Sequence, residues 1–441
     1  MLPGTCVRHP PTRASAFADD QPGGHLKSLA DQPFIPVVLG TDINCYGIAR
    51  SLNQAYGLKT LSLGRRASRE TAASRIVEVR ASQEFEDEGV VVETVLALAD
   101  EFPGKKLLVI PTVEAYTNAV LAQRDKFGEQ FLFPIPTPEV AARVYKKADF
   151  YETCDAYEVP YPSFKTLVRE DLDSPDFEEE LDVRFPVIAK PSNTDLYPRL
   201  EFDGHMKVFL VHDAAELRTT LRRVYDAGYT DKFVVQEYMH GDESVICSIS
   251  TYSDRHGKMK LAVAGQVTLT SKAPKLIGNN DAIVTTSKPE LVEMVEELLN
   301  GVGYTGSANF DLMYDVSSDK YRVLEMNLRQ GASSYYATLA GANIPAAYVR
   351  DLVLGQELDR LVTQDQKLWS TVPRIIAWLY SAPKLRGLVW KAARNGHANT
   401  LWYLPDLSFK RAMNVLRVLA RQTYLTMRFS RSGINSWSHL K

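Results

Sequence analysis

A short apolar run, a helical pattern and a second apolar run open the folded part of the chain. From Phe34 the sequence is FIPVVLGTDINCYGIARSLNQAYGLKTLSLGRR, with Gly40 and Gly47 expected at the first turn. Two short apolar segments joined by a helix are typical of neighbouring parallel strands. The later segment KKLLVIPTVEAYTNAV repeats the strand and helix, so residues 34–130 are predicted to form a doubly wound α/β subdomain. The two glycines lack the G-x-G-x-x-G spacing of a dinucleotide site.

Beyond this subdomain the patterns become antiparallel. The proline-rich FLFPIPTPEV marks a boundary, and RFPVIAKPS is predicted to be a buried strand. TDKFVVQEYMHGDESVICSISTY and KLAVAGQVTLT are predicted to be strands of an antiparallel sheet, PELVEMVEELLNGVG an amphipathic helix, and GSANFDLMYDVSSDKYRVLEMNLR a hairpin. We therefore expect a loose tail (1–33), the α/β subdomain (34–130), a central α+β region (131–355) and a basic helical C-terminal region (356–441).

Composition places the chain among globular proteins with a large core, since its 441 residues are 45% hydrophobic and 24% charged. Its four cysteines are too sparse for a disulfide framework and too widely spaced for a zinc site, which favours packed thiols in a reducing cytoplasm. No apolar run reaches the roughly eighteen residues of a membrane-spanning helix. The N-terminal tail lacks the apolar centre of a signal peptide.

Charge is distributed unevenly, although the net charge is only −3. Residues 382–441 contain eleven lysines and arginines and the single acid Asp406. The segment FKRAMNVLRVLARQTYLTMRF has two open interpretations: contact with anionic lipid headgroups or an anionic substrate, or a terminal helix that covers the core while its arginines are solvated. Nothing in the charge pattern indicates nucleic-acid binding, and the oligomeric state is left open, a homo-oligomer included.

The segment LEMNLR carries three polar side chains at alternate positions: Glu325, Asn327 and Arg329. In a strand these point to one face, and pairing within the predicted hairpin can bring Asp311 opposite them. Two carboxylates and an amide oxygen form a hard, oxygen-only donor set that suits Mg²⁺ shared with phosphate oxygens and does not suit zinc. The alternative interpretation is a solvated strand edge.

Two lysines precede this hairpin in the sequence. Lys190 ends the predicted buried strand VIAKP, where an ammonium group is costly to desolvate without an anionic partner such as a phosphate. Lys147, near the start of a predicted helix, is a second candidate cation. For either lysine alone, a solvated ammonium group is the competing interpretation.

The segment VVQEYMHGDE is predicted to be a strand that runs into a linker. Backbone groups from Gln236 through Glu237 to Met239 suit an adenine edge, and the Glu243 carboxylate can accept hydrogen bonds from ribose hydroxyls. A strand end followed by a polar turn is the alternative.

This order of two lysines, a linker with an acid, an aspartate and Glu-x-Asn resembles the ATP-grasp superfamily over residues 36–345. The resemblance implies two α+β lobes that enclose ATP behind the α/β subdomain. It also implies roles: phosphate contacts for Lys147 and Lys190, adenine contacts for Gln236, Glu237 and Met239, ribose binding by Glu243, two Mg²⁺ ions (or Mn²⁺) held by Asp311, Glu325 and Asn327, and charge stabilisation by Arg329. The lid sequence departs from the family, since SNTDLYPRLEFDGHMKVFLV has a single glycine, with Lys207 nearby.

Within the superfamily, the segments AKPSN, EFDGHMKV, QVTLTSKAPKLIGNN and EMNLRQGASSYYATLAG resemble D-aspartate ligases of peptidoglycan synthesis. The resemblance implies a ligase that activates a carboxylate as an acyl phosphate and joins D-aspartate to the lysine amine of a UDP-linked stem-peptide precursor. Lys272 and Lys275 would attract anionic substrates, or would only solubilise their loop. The alternatives are a ligase for another amino acid or peptide, and a nucleotide-binding regulatory protein without turnover.

Overall fold

The computed structural model describes residues 28–192, 196–197, 200–206, 208–273 and 276–430, so most of the predicted tail lies outside the described residues. The first unit is a parallel sheet of order β3-β2-β1-β4-β5. Its strands are β1 (Ile35–Leu39), β2 (Thr60–Gly64), β3 (Val77–Ala81), β4 (Leu107–Pro111) and β5 (Phe131–Leu132), and its helices are α1 (Ile43–Tyr56), α2 (Glu88–Glu101) and α3 (Glu114–Ala122). The doubly wound prediction is confirmed.

The two glycines of the first strand–helix unit have different roles. Gly40 lies at the turn with φ +140°, and a Cβ there would collide with the Thr112 hydroxyl, so β1 and β4 end in close contact. The prediction that Gly47 also lies at the turn is wrong. It lies inside α1, where Tyr335 and Thr400 pack against it.

The second unit is a four-stranded antiparallel sheet of order β6-β9-β7-β8. Its strands are β6 (Phe164–Leu167), β7 (Val187–Pro191), β8 (Phe209–Val211) and β9 (Phe233–Glu237), and the neighbouring helices are α4 (Pro138–Val144), α5 (Lys147–Ala156), α6 (Phe177–Glu180) and α7 (Ala214–Asp226). Helix α7 is strongly amphipathic, and its Leu217, Leu221 and Val224 pack on this sheet.

The third unit is an eight-stranded sheet of order β14-β13-β10-β11-β12-β16-β17, with β15 beside β11. Its strands are β10 (Ile246–Ser253), β11 (Met259–Thr270), β12 (Asn280–Thr286), β13 (Gly306–Asp315), β14 (Lys320–Asn327), β15 (Leu361–Val362), β16 (Leu368–Ser370) and β17 (His397–Ala398), and α8 (Pro289–Val302) covers one face. The predicted hairpin is β13–β14. The strands of TDKFVVQEYMHGDESVICSISTY fall in two sheets, since β9 belongs to the second unit and β10 to the third.

The C-terminal region packs against the first and third units. The helices α9 (Tyr335–Leu339) and α10 (Ile344–Tyr348) and a π-helical turn (Val349–Val353) follow β14, and the helices of the C-terminal region are α11 (Arg374–Tyr380), α12 (Arg386–Asn395) and α13 (Phe409–Ser430). Val415 of α13 is buried in the core, with Val418 and Leu419 beside it, whereas Met413 and Leu416 are exposed. Helix α13 therefore covers the core only in part, and the interpretation in which all its arginines are solvated is wrong for Arg411, which is fully buried.

Two sequence expectations concern thiols and membrane spans. Cys45, Cys154 and Cys247 are free and buried, as packed thiols, and Cys6 lies outside the described residues. Among the described residues, no helix combines the length and apolar character that crossing a bilayer requires.

Candidate active site

The centre of the site is a row of polar residues across three neighbouring strands. Asp311 on β13 lies directly opposite Glu325 on β14, and Ser248 on β10 lies on its other side. Residues opposite each other in adjacent strands present their side chains to the same face. The register shifts just after Asp311, and the carbonyl of the extra residue, Leu324, accepts a 3.1 Å hydrogen bond from Tyr151 of α5. This bulge therefore fastens α5 to the hairpin.

A second polar row runs beside the first. Ser250, Asn309 and Asn327 are consecutive cross-strand neighbours, and Ser250 Oγ donates to Asn309 Oδ1 at 3.0 Å. Asn327 Nδ2 lies 3.4 Å from Glu325 Oε1, which leaves its amide oxygen as an acceptor on the same face as both carboxylates. The predicted oxygen donors are thus brought together.

The two carboxylates of the first row repel each other. Burial and, secondarily, the negative charge of Glu325 raise the pKa of Asp311 to about 7, although a hydrogen bond with Ser248 and the charges of Arg329 and Lys190 act in the opposite direction. A divalent cation between the carboxylates would remove this repulsion, and the oxygen-only donors are those that Mg²⁺ prefers. The residues present therefore fit a magnesium site.

Two ammonium groups lie next to these carboxylates. Lys190, at the end of β7, has its Nζ 3.8 Å from Glu325 Oε2. Lys147, the first residue of α5, donates to Gln236 Oε1 at 2.9 Å. Burial lowers the pKa of Lys147, and the adjacent charge of Lys190 lowers it further, while Glu325 raises it. Two neighbouring cations that repel each other would be stabilised by a polyanion such as a phosphate chain.

Arg329 links the hairpin to the parallel sheet. It lines a small cleft with Glu114 and Thr117 of α3, and its positive charge lowers the pKa of Asp42, a carboxyl whose pKa burial raises overall. Asp42 caps α1 by accepting from the backbone N–H of Asn44 at 3.0 Å. In doubly wound sheets, ligands bind at the carboxyl ends of the strands where the strand order reverses, here β1 and β4. Arg329 faces that crevice.

Some backbone N–H groups at the end of β9 and in the linker after it are already hydrogen-bonded. The N–H groups of Glu237 and Tyr238 donate to the carbonyls of Ser163 and Pro186 at 2.8 and 3.1 Å. Within the described part of the chain, the N–H of Met239 has no hydrogen-bond acceptor. The Glu237 carboxylate lies 3.4 Å from Arg322 Nη1 and is therefore paired within the protein.

Glu243 is a buried carboxylate at the end of the linker. Its Oε1 accepts from Thr270 Oγ1 at 2.8 Å and lies 3.6 Å from Lys272 Nζ. It lines a cleft of about 480 Å³ that also contacts Tyr380 and Arg386 of the C-terminal region. The predicted lid residue Lys207 lies outside the described residues, as does Lys275.

Sequence reasoning missed the partners that hold these groups. Ser248 and Ser250 alternate with Cys247 and Ile249 in ICSIS, a period of two that could have identified a polar strand face. The Lys147–Gln236 bond joins residues 89 positions apart and leaves no local pattern in the sequence. The partnership of Glu237 with Arg322 likewise depends on tertiary packing.

Comparison with known proteins identifies the class. No family model matches the chain. The biotin carboxylase domain of Hydrogenobacter thermophilus 2-oxoglutarate carboxylase, in complex with ADP and magnesium, has a TM-score of 0.58 at 14% identity and covers 76% of this chain and 74% of its own. The L-amino acid ligase of Bacillus licheniformis has a TM-score of 0.52 at 19% identity, and the match covers 72% of this chain and 74% of that protein. Staphylococcus aureus N5-carboxyaminoimidazole synthetase in complex with ADP has a TM-score of 0.54 at 12% identity, and the match covers 78% of this chain and 84% of that protein.

A curated D-aspartate ligase from Enterococcus faecium (strain Aus0004) is 33% identical over 398 residues, which are 88% of this chain and 94% of that protein. Fold and relatives together define a carboxylate–amine ligase with the ATP-grasp fold. Within that class, the chain belongs to the D-aspartate ligase family. The resemblance predicted from the sequence is confirmed.

Proposed function

We propose that this enzyme joins D-aspartate to the side-chain amine of a lysine in the stem peptide of a UDP-linked cell-wall precursor, in the cytoplasm. The name of the Enterococcus faecium relative supports the acid. The acceptor is anionic, and cationic groups lie around the cleft: Lys272 beside Glu243, Arg386 on its wall, and Arg329 at the crevice of the parallel sheet. Complementary charge raises the local concentration of such a substrate.

The nucleotide occupies the space between the second and third units. Lys147 and Lys190 contact its phosphates, which compensate the burial and mutual repulsion of the two ammonium groups. The Met239 N–H and the main chain of Gln236 and Glu237 lie along the adenine. Glu243 accepts from the ribose hydroxyls, with Thr270 fixing its orientation.

Asp311, Glu325 and Asn327 would hold the magnesium. Its charge would neutralise negative charge on the transferring phosphoryl group. Ser248 and Asn309, the cross-strand neighbours of this set, keep the donors on one face of the sheet.

The chemistry follows from the poor reactivity of a carboxylate toward an amine, whose attack would expel oxide. A carboxylate oxygen of D-aspartate attacks the γ-phosphorus, the bond to the β–γ bridging oxygen breaks, and ADP leaves. The lysine amine then adds to the acyl carbon, phosphate leaves with the former carboxylate oxygen, and the amine loses a proton. Lys190 and Arg329 stabilise the negative charge that shifts during these steps. Covalent catalysis by a serine or cysteine is not required.

One observation supports this proposal most directly: Asp311 pairs in register with Glu325, and Lys190 lies 3.8 Å from that glutamate. The test is mass spectrometry of purified enzyme with ATP, Mg²⁺, the precursor and a panel of D- and L-amino acids. We expect a product heavier by one aspartyl residue with D-aspartate, and ADP formation that requires this acid. Trapping with hydroxylamine should yield the aspartyl hydroxamate, which reports the acyl phosphate.

Matched variants separate the residue roles from the identity of the substrate. Asp311→Asn and Glu325→Gln should each lower turnover by at least about a thousandfold. Asp319→Asn, an exposed position on the same hairpin with φ +55°, should leave turnover unchanged. If ADP forms only with another acid, the enzyme is a ligase for that acid and D-aspartate is not its substrate. Nucleotide binding without ADP formation from any acid would indicate a regulatory protein.

A further inference from the structure

The outward face of helix α13 is apolar and basic. Four large apolar side chains on it are exposed: Phe409 by 83%, Met413 by 37%, Leu416 by 48% and Tyr424 by 55%. The exposed residues between them are Lys410, Arg417, Ala420, Arg421 and Arg428. The solvent face of a terminal helix is ordinarily polar, so a stripe that is half apolar and otherwise almost wholly cationic requires an explanation.

The same character continues on the neighbouring elements. Ile375 and Leu379, one turn apart on α11, are 54% and 43% exposed. Helix α11 contacts α13, and Leu379 lines the same cleft as Ser430 at the end of α13. Trp390 of α12 is 54% exposed. We call the outward stripe of α13 together with Ile375, Leu379 and Trp390 the basic apolar face.

Among the described residues, the exposed positions that make up this face include no Asp or Glu, although Asp242 and Glu243 line the cleft beside Leu379. The single acid of residues 382–441, Asp406, is fully buried on the other side of α13. With the described residues, none of the basic side chains on the stripe forms an ion pair; Arg417 lies 3.5 Å from the amide oxygen of Asn414, and Arg428 donates to Tyr424. Because the whole chain has a net charge of −3, the remainder is acidic, and the molecule has a pronounced charge asymmetry.

The inner face of α13 fixes this orientation. Arg411 is fully buried, with its Nε 3.3 Å from Asp406 Oδ2. Gln422 Nε2 donates to Asp281 Oδ1 of β12 at 2.8 Å, and Val415 lies in the core. The exposed apolar stripe is therefore presented by a helix held on its opposite side.

We propose that the basic apolar face binds peripherally to the surface of an anionic lipid bilayer. Interleaved cations and large apolar groups suit headgroup phosphates and the acyl boundary beneath them at the same time. Other occupants fit less well. Residues 1–27 and 431–441 carry no net negative charge, and a second copy that docks by the same face would bring its own cations to it. Nucleic acid would match the charge and leave the aliphatic groups in water.

Peripheral binding places the Glu243 cleft at the lipid surface, because Leu379 and Arg386 belong to both the C-terminal helices and the wall of that cleft. This proposal does not depend on which acid or amine the enzyme uses.

The test is cosedimentation of the purified full chain with vesicles of phosphatidylglycerol and phosphatidylcholine, compared with phosphatidylcholine alone. We expect sedimentation with the anionic vesicles only, decreasing as salt screens the charges. Arg417→Glu/Arg421→Glu should weaken binding by at least about tenfold, since each basic residue near such a surface contributes about 1 kcal/mol. Phe409→Ser/Leu416→Ser should also weaken it, and the loss should persist at high salt.

Lys126→Glu/Lys258→Glu is the matched control, because it changes the net charge equally at exposed lysines outside the face. All variants should keep wild-type ADP formation and thermal unfolding without vesicles, which shows that they are folded. Equal sedimentation with neutral vesicles, or no loss in Arg417→Glu/Arg421→Glu, would overturn the proposal. Binding to duplex DNA without binding to vesicles would overturn it as well. So would a protein that does not bind vesicles and forms a dimer that Phe409→Ser/Leu416→Ser converts to a monomer.

Discussion

Asp311 and Glu325 face each other across the β13–β14 hairpin although their charges repel. Lys190, 3.8 Å from Glu325, and Arg329 offset this repulsion only in part. Likewise, burial and the neighbouring charge of Lys190 lower the pKa of Lys147. Functional sites commonly accept such a cost because the bound ligand relieves it.

The first prediction concerns Asp311→Asn. In metal-free protein this variant should unfold at the same temperature as wild type or a higher one, because the substitution removes the repulsion by Glu325. Wild type should be stabilised by Mg²⁺ and ADP together, by about 2.7 kcal/mol at a hundred times the dissociation constant. The variant should lack the part of this stabilisation that depends on Mg²⁺. Thermal unfolding with ADP alone, Mg²⁺ alone and both measures this.

Asp319→Asn on the same hairpin is the control and should behave as wild type in all three conditions. An Asp311→Asn variant that gains as much stability from Mg²⁺ and ADP as wild type would show that this aspartate is not a metal ligand.

For single residues, the sequence predicted the positions that follow from the period of two along a strand and from pairing within a hairpin. Glu325 and Asn327 share a face because they are two apart in a strand, and Asp311 meets them because a hairpin pairs its two strands. The sequence could not show that the Glu237 carboxylate is paired with Arg322, a contact between strands of different sheets.

Gly306 decides how strand β13 meets the first unit. It begins the strand with φ +88°, and a Cβ there would collide with the backbone of Pro134. The next residue, Ser307, donates its N–H to the Pro134 carbonyl at 3.0 Å. This close contact of two backbones fixes the start of the strand that carries Asp311. A glycine at a strand start is unremarkable in the sequence, so its importance appears only in three dimensions.

The second prediction is that Gly306→Ala lowers the free energy of unfolding by about 2–4 kcal/mol, because left-handed backbone strain adds to displacement of the Pro134 segment. Denaturant unfolding measures this. Gly355→Ala is the control: its φ is +65°, but a Cβ there meets nothing within 4 Å, so it should cost only about 1 kcal/mol. Equal losses in the two variants would show that the contact with Pro134 is unimportant.

For the fold as a whole, the sequence predicted the units in which neighbouring segments of the chain pair with each other. It did not predict the places where two strands of one continuous segment belong to different sheets. The parallel sheet follows from repeated strand–helix patterns. The division of one predicted antiparallel sheet into two does not, since β9 and β10 are separated by only a short linker. The short strands β15, β16 and β17 have two or three residues each, too few for a periodic signal, yet they extend the third sheet.

The C-terminal region is joined to the first unit by a buried polar cluster around Asp406. This fully buried carboxylate accepts from Tyr46 Oη at 2.7 Å, from Ser74 Oγ at 2.9 Å and from the Arg75 N–H at 2.6 Å. Arg411 of α13, also fully buried, lies beside it over the Tyr46 ring. One carboxylate therefore connects α13 with α1 and with the segment before β3, whose bonded residues lie 331–360 positions from Asp406 in the sequence.

The third prediction is that Asp406→Ala lowers the free energy of unfolding by about 3–5 kcal/mol, because the buried Arg411 guanidinium loses its counter-charge and three donors lose their acceptor. Hydrogen exchange should show faster opening of α13, while the amides of β10 and β13 keep their protection. Asp365→Ala is the control, since its ion pair with Lys367 is exposed and should contribute no more than about 1 kcal/mol. If the two substitutions cost the same, or if α13 stays protected in Asp406→Ala, then packing of Val415 and its neighbours, rather than the buried ion pair, holds the C-terminal region in place.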